Sequence, residues 1–296
     1  MKKKFDIPIL ILIYNRPNLT KQLCLQIAKV KPTRIYIASD GPKNGEIDKD
    51  KVELSRFNAV TSITWDCEIK ENFNQENLGC RIAVSEAINW FFDNEEMGII
   101  LEDDCMPSES FFYYCQQLLE YYKYDERIYS ISGFNQQNIF NVENDYFFSK
   151  LGNCWGWASW RRCWKDYDVE IKDFKIFEKS DGFKNALGSS LGAIKKKMIF
   201  DGVLLNKSDS WALQWGYLRH KNNGLTCIPS RSLIKNIGFG SDATHTIFKD
   251  TFKVDNHEID FPLKINNFVV PSEDYDNLMF KRPSIYERLL NLLFKN

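Results

Sequence analysis

Four short apolar runs punctuate the first third of the chain, and residues at helical spacing fill the gaps between them. The runs are "IPILILIY" from Ile7, "RIYIASD" from Arg34, "SITWDCEI" from Ser62 and "GIILEDD" from Gly98. Helical patterns cover Asn18 to Lys29 and about Cys80 to Asp93, with a charged segment around Lys43 to Phe57. Short apolar runs alternating with helices predict βαβ units and a mostly parallel sheet covered on both faces. The expected fold class is therefore α/β, a Rossmann-like sheet flanked by helices in a single compact domain. Ligands of such sheets sit beyond the carboxyl ends of the strands. Three of these ends are polar: Asn15 and Arg16, Ser39 and Asp40, and Glu102, Asp103 and Asp104. They are expected to converge on one crevice.

The second half is less regular. It carries "NCWGWASWRRCW", a charged middle from Lys165 to Lys197, "DSWALQW" and "NIGFGSDATHT". No internal repeat, low-complexity tract or Pro/Gly-rich linker divides the chain. We read 1–135 as a nucleotide-binding half, 136–270 as an acceptor-binding and catalytic half, and 271–296 as an amphipathic tail. In that tail Ile285, Leu289, Leu290, Leu292, Leu293 and Phe294 interleave with Arg288 and Lys295. Such a tail docks on its own domain or makes a weak membrane-surface or partner contact.

Composition narrows the classes. The 296 residues carry 39 basic and 40 acidic side chains, so no global field points to nucleic acid. The eight cysteines form no C-x-x-C pair, which fits reduced thiols in a cytosolic protein without structural zinc. The opening "MKKKFDIPILILIYNRP" mimics a signal peptide, but the apolar run is short, contains Pro8 and leads into Asn15 and Arg16, as a buried strand would. No run approaches the length of a membrane span.

The acidic triplet carries the strongest chemical signal. If the strand stays extended, Glu102 and Asp104 face one side and Asp103 the other. Clustered carboxylates repel unless a cation lies between them, and hard oxygen donors suit Mg²⁺ or Mn²⁺ bridging to substrate phosphates. The alternative is a solvated turn, or Asp104 capping the helix opened by "PSESFF". Arg16 suits a phosphate or a base, or is an ordinary surface arginine at a βα turn. Asp40 either accepts hydrogen bonds from a nucleoside or stabilises the Gly41-Pro42 turn. Gly79 and Arg81 open a helix that suits an anionic group, or form a plain loop-helix junction. Trp155, Trp157, Trp160 and Trp164 serve a sugar face or the core. Asp209, in aromatic surroundings, is either a general base or a helix N-cap. His245 sits in the most polar loop, near Asp242, and either approaches a diphosphate or metal or has no role.

Taken in order, "YNRP", "SDGP", "NLGCR", the strand ending "EDD", the Trp/Gly loop and the late histidine loop resemble the metal-dependent GT-A glycosyltransferases. The resemblance is closer to bacterial relatives of the family-two enzymes, and it extends to animal N-acetylglucosaminyltransferase I. It spans roughly Ile7 to Thr246. It implies that Asp104 holds Mn²⁺ or Mg²⁺, while Glu102 and Asp103 contact sugar, ribose or metal waters. Asp40 then contacts the base, Arg16 and Arg81 the nucleotide, and His245 the diphosphate or metal. Asp209 takes the position of the catalytic base, with Asp242 as fallback because "DSW" departs from the doubled aspartate of N-acetylglucosaminyltransferase I. The implied activity is inverting sugar transfer from a nucleotide donor, UDP by default, to a glycan or lipid-linked acceptor in surface polysaccharide synthesis. The expected setting is the cytoplasm, at or near the inner membrane face. A sugar-nucleotide pyrophosphorylase and a non-catalytic carbohydrate-binding protein are the rival readings.

Overall fold

The computed structural model describes residues 5–43, 45–204, 209–238 and 254–281. Strands β1 (Ile9–Ile13), β2 (Arg34–Ser39), β3 (Glu68–Phe73) and β4 (Met97–Glu102) alternate with helices α1 (Pro17–Ile27), α2 (Gly45–Thr61) and α3 (Cys80–Asn94). All four strands run parallel in the order β3-β2-β1-β4, as the alternation of elements predicts. β1 is buried along its whole length because it lies inside the sheet with both faces covered. Each fully buried Ile or Leu there contributes about 2 kcal/mol.

The same sheet continues into the second half of the chain. β5 (Cys105–Pro107) leaves it, and α4 (Glu109–Tyr121) follows. Then come β6 (Ile128–Ser132), β7 (Tyr146–Ser149), β8 (Trp157–Trp160) and α5 (Arg161–Trp164). β8 pairs antiparallel with both β4 and β6. The short helices α6 (Phe174–Lys179) and α7 (Gly182–Leu187) precede α8 (Ser190–Leu204) and α9 (Ala212–Lys221). β9 (Leu225–Pro229) pairs parallel with β6 and antiparallel with β7, which completes an eight-stranded mixed sheet. β10 (Ile234–Asn236) turns back onto β5, and α10 (Glu273–Lys281) ends the described chain. The domain is thus a mixed α/β unit whose larger sheet is parallel through β3-β2-β1-β4 and flanked by helices.

One local expectation is corrected. The run from Ser62 to Cys67 is not strand; β3 begins at Glu68, where the Glu68 amide bonds Thr33 O. β3 is an edge strand with no fully buried residue, so its own sequence lacks the apolar signal that marks β1 and β4. Trp65, which made the earlier stretch look strand-like, instead anchors the lead-in by donating to Pro32 O at 2.9 Å. In the tryptophan loop the core alternative holds for three residues: Trp157, Trp160 and Trp164 are buried. Trp157 lies 5.8 Å from Trp211 and 5.4 Å from Trp215, and Trp164 stacks on Tyr167 at 4.1 Å. Of the four, only Trp155 is partly exposed, packed edge-on to Phe134 at 4.8 Å.

Candidate active site

The three polar strand ends meet at the carboxyl edge of the parallel strands. β1 pairs with β4 so that Leu12 lies opposite Glu102, and the Asp103 amide bonds Leu12 O at 3.1 Å. β1 and α1 are separated only by Tyr14, Asn15 and Arg16, with Pro17 at the first helical position. This short passage aims Arg16 across the end of β4. Its Nη1 donates to Asp104 Oδ2 at 2.9 Å, and its Nη2 pairs with Asp103 Oδ1.

The expected alternation of the triplet is therefore not seen. β4 ends at Glu102 and the chain turns at Asp103 and Asp104, so both aspartates reach one guanidinium. Asp104 does not cap the next helix either. The first amides of α4, those of Glu109 and Ser110, are taken by Glu258 at 3.1 and 2.8 Å.

Charge in the triplet is only partly compensated. Three carboxylates face one guanidinium, and Asp103 is 1 % exposed with its Oδ2 buried and without a partner. Burial and the neighbouring Asp104 and Asp103 push the Glu102 carboxyl up, to about 8. Burial raises Asp103 as well, against the pull of Arg16. Such a site gains from a proton or from a cation. The donor chemistry fits a hard divalent ion: carboxylate oxygens, one of them unsatisfied, on a turn held by a strand end. Among the described residues no group of three or more His, Cys, Asp or Glu side chains is placed to hold a metal ion. An ion that keeps waters and binds substrate phosphates needs only one or two protein carboxylates.

Asp104 is fixed from its other side by β10. Asn236 Nδ2 donates to Asp104 Oδ1 at 3.3 Å, and the Ile237 amide bonds Asp104 O at 2.9 Å. Gly238 lies so close that a Cβ there would collide with Asp104 Oδ2.

Asp40 and Asp209 both close on the turn that opens α3. Asp40 accepts the amides of Leu78 at 3.0 Å and Gly79 at 3.1 Å, its own neighbour Gly41 at 2.9 Å, and Asn74 Nδ2 at 3.2 Å. Asp209 accepts the amides of Cys80 and Arg81, each at 3.0 Å. Gly79, at φ +81°, supplies the left-handed bend that points these amides in two directions. Asp209 is thus an N-cap, but of a helix far away in sequence. The Cys80 thiol is pushed up to about 12 by burial and by Glu102, Asp209 and Asp40. Glu102, Asp40, Asp209 and Arg16 therefore share one electrostatic neighbourhood. Burial raises the Tyr167 hydroxyl, against the pull of Arg81, and that hydroxyl donates to Trp211 O at 3.0 Å. His245 and Asp242 lie outside the described residues, as does the tail from 282 onward.

Sequence reasoning missed several residues that build the crevice wall. Asp48, in the first turn of α2, accepts from Tyr14 OH and Asn15 Nδ2 at 2.7 Å each and from the Lys43 amide at 2.6 Å. Arg56 donates to Ser39 Oγ, Asp40 O and Asn74 O, tying β2 to β3, and lies over the Phe73 ring. Asn77 bonds Gly41 O at 2.8 Å. In the sequence these residues look like ordinary surface charge on a helix and polar loop residues, and no spacing marks them.

No family model matches the chain, and no curated protein matches it. Among solved structures it is similar to HddC from Yersinia pseudotuberculosis complexed with GMP-PN, at 11% identity and TM-score 0.36, covering 54% of this chain and 80% of that one. It is also similar to the 4-diphosphocytidyl-2C-methyl-D-erythritolsynthase from Anaerococcus prevotii, at 11% identity and TM-score 0.34, covering 60% and 85%. A UDP-glucose pyrophosphorylase complexed with UDP-glucose follows at 9% identity and TM-score 0.28, covering 54% and 71%. Among the described residues no helix is long and apolar enough to cross a membrane.

Proposed function

We propose that the protein is a glycosyltransferase that moves a sugar, with inversion, from a nucleoside diphosphate donor to a hydroxyl of a glycan or lipid-linked acceptor. The observation that carries this reading is the triplet Glu102 to Asp104 at the mouth of the parallel strands, three carboxylates against the single guanidinium of Arg16. In this reading Asp104 holds Mn²⁺ or Mg²⁺, and Glu102 and Asp103 contact sugar, ribose or metal waters. The cation, when bound, offsets charge on the departing diphosphate. Arg16 adds a second positive group for the nucleotide. Arg81 contacts the nucleotide as well, and His245 the diphosphate or metal. Asp40, whose oxygens hold the 74–79 turn, positions that turn against the base.

The acceptor oxygen forms its bond to C1 as the bond from C1 to the phosphate oxygen breaks, and the electron pair leaves with the nucleoside diphosphate. Asp209 receives the acceptor proton, and Asp242 is the alternative. A cytoplasmic setting at the inner membrane face during polysaccharide assembly completes the proposal; α10 itself packs Tyr275 and Phe280 into the domain.

Two observations weigh against the rival readings. A pyrophosphorylase would place a Gly-rich basic loop after β1, where this chain passes straight from Tyr14 through Arg16 into Pro17. A carbohydrate-binding protein would present its tryptophans, and three of the four in the loop are core.

The test is calorimetric titration with UDP, GDP and CDP, with and without Mn²⁺, on the wild type and Asp104→Ala. Metal-dependent binding of one nucleotide that disappears in the variant is expected, followed by release of that nucleoside diphosphate when acceptor is added. Absence of nucleotide binding under every condition overturns the reading. Formation of pyrophosphate from a nucleoside triphosphate and a sugar 1-phosphate replaces it.

A further inference from the structure

Helix α8 is apolar on two opposite faces. Gly192, Phe200 and Val203 are buried on its inner side, where the Phe280 ring of α10 packs so close that a Cβ on Gly192 would stand 2.7 Å from it. On the outer side Leu191, Ile194 and Met198, spaced three and four residues apart, form one stripe and are 47, 59 and 55 % exposed. At about 100° per residue, Lys195 falls on one flank of that stripe and Lys197 on the other. Lys197 Nζ pairs with Glu178 of α6 and with Asp201 at 3.1 Å, and Lys175 joins the same two carboxylates at 3.3 and 3.4 Å. These ion pairs lie at the surface, where such contacts hold little.

A helix on the surface of a domain ordinarily carries a single apolar stripe, turned to the core. A second stripe turned outward costs free energy in water until something covers it, and contiguous exposed apolar surface marks an interaction site. Charge decides what the cover is. The segment 174–204, which holds α6, α7 and α8, has six lysines against three carboxylates, in a chain whose formal net charge is -1. A second copy of the chain, docked face to face, would set Lys195 and Lys197 against their own images. The sequence beyond α10 would also bring like charge, because it carries Arg282, Arg288 and Lys295 against Glu287. An anionic surface is the complement of an apolar stripe with lysine on both flanks.

We propose that the outer face of α8 docks on a bilayer bearing anionic lipid phosphate. Leu191, Ile194 and Met198 enter the boundary between headgroups and acyl chains, while Lys195 and Lys197 lay their stems along the apolar surface and keep their ammonium groups among the phosphates. Three apolar side chains make this a reversible contact, not an anchor. The docking gives the inner-membrane setting a definite surface. Its use in glycan assembly rests on the glycosyl-transfer reading; the docking itself does not.

The experiment is co-sedimentation of the full chain with vesicles of phosphatidylcholine alone and of equal parts phosphatidylcholine and phosphatidylglycerol. Wild type is compared with three double variants: Ile194→Gln with Met198→Gln, Lys195→Gln with Lys197→Gln, and, beyond α10, Leu289→Gln with Leu293→Gln. The wild type is expected to bind the anionic vesicles and not the neutral ones, and both α8 variants are expected to bind about tenfold more weakly or worse. The Ile194 and Met198 variant is also expected to melt with the wild type, because both side chains stand outside the core and Gln forms helix at least as well as Ile and Met. Lost binding is then not lost folding. The proposal is overturned if the wild type binds no vesicle, if the Ile194 and Met198 variant binds like the wild type, or if the loss is confined to the Leu289 and Leu293 variant. It is equally overturned if the wild type is a dimer that the Ile194 and Met198 variant separates, which would assign the face to a second copy. Titration of wild type and this variant with UDP and Mn²⁺ keeps the two readings apart. Failure of nucleotide binding in both removes the transfer reading and leaves the docking standing, whereas absence of vesicle binding with nucleotide binding intact removes the docking alone.

Discussion

Asp40 and Asp209 divide four consecutive backbone amides between them. Asp40, at the end of β2, takes those of Leu78 and Gly79, and Asp209, from the segment before α9, takes those of Cys80 and Arg81. The N-terminus of α3 is thereby clamped by carboxylates from both halves of the chain, which stabilises a helix end whose partial charge is positive.

The clamp separates two roles of Asp209. Asn caps a helix about as well as Asp, whereas Ala costs about 1 kcal/mol. Here Asn keeps only one of the two oxygens that the Cys80 and Arg81 amides use, so Asp209→Asn is expected to unfold between Asp209→Ala and the wild type, yet lose at least ~100-fold in turnover if the carboxylate is the base. Turnover kept in Asp209→Asn and a lowered midpoint in Asp209→Ala would leave it a cap alone. Amide exchange at Cys80 and Arg81 reports the cap directly.

Arg16 is expected to be a keystone of stability as well as a ligand contact. Removing one partner of a buried pair costs about 3–5 kcal/mol, and the partial exposure of Arg16 and Asp104 brings Arg16→Met toward the lower end of that range. If the triplet binds a divalent cation, millimolar Mn²⁺ should recover more stability in this variant than in the wild type. Denaturant titration with and without Mn²⁺ makes the comparison, and equal shifts in both proteins would remove the ion from the site.

The raised carboxyl of Glu102 gives stability a definite slope. An unfolded glutamate loses its proton near pH ~4.3. The folded one keeps it to about 8 because burial, Asp104 and Asp103 disfavour its charge. Between those values the folded state holds more protons than the unfolded state, so this group's contribution is fully present below the lower value and falls as pH rises toward the upper one. Glu102→Gln should show a flatter dependence than the wild type across that window in urea melts without metal. Identical slopes would exclude the effect.

Gly238 tests the support of Asp104 from behind. A methyl group there meets Asp104 Oδ2, and such overpacking costs about 1–3 kcal/mol. Gly238→Ala is expected to weaken Mn²⁺-dependent nucleotide binding by about tenfold or more. Unchanged affinity would show that Asp104 can shift without consequence.

The tryptophans are expected to report on folding. Trp157→Ala should cost about 3–5 kcal/mol because it empties a site packed by Trp164, Trp211 and Trp215. Trp155→Ala, at the partly exposed position, should cost less in the same denaturation assay.

The amino-acid sequence by itself determined the parallel half of the sheet. "IPILILIY", "RIYIAS" and "GIILE" are interior strands, and continuous burial on both faces leaves an unbroken apolar run in the chain. It also placed Arg16, Asp40 and the acidic triplet at strand ends, which is enough to bring them to one edge. The tertiary structure alone decided what these groups touch. Strand periodicity stops at Glu102, so it could not show that Asp103 and Asp104 turn together onto Arg16. Edge strand β3 escaped for the same physical reason in reverse: a half-exposed strand has no apolar run to read. Asp209 on α3, and Asp48 on Tyr14 and Asn15, are contacts between elements distant in sequence. Such partners are set by packing, and local spacing carries no record of them.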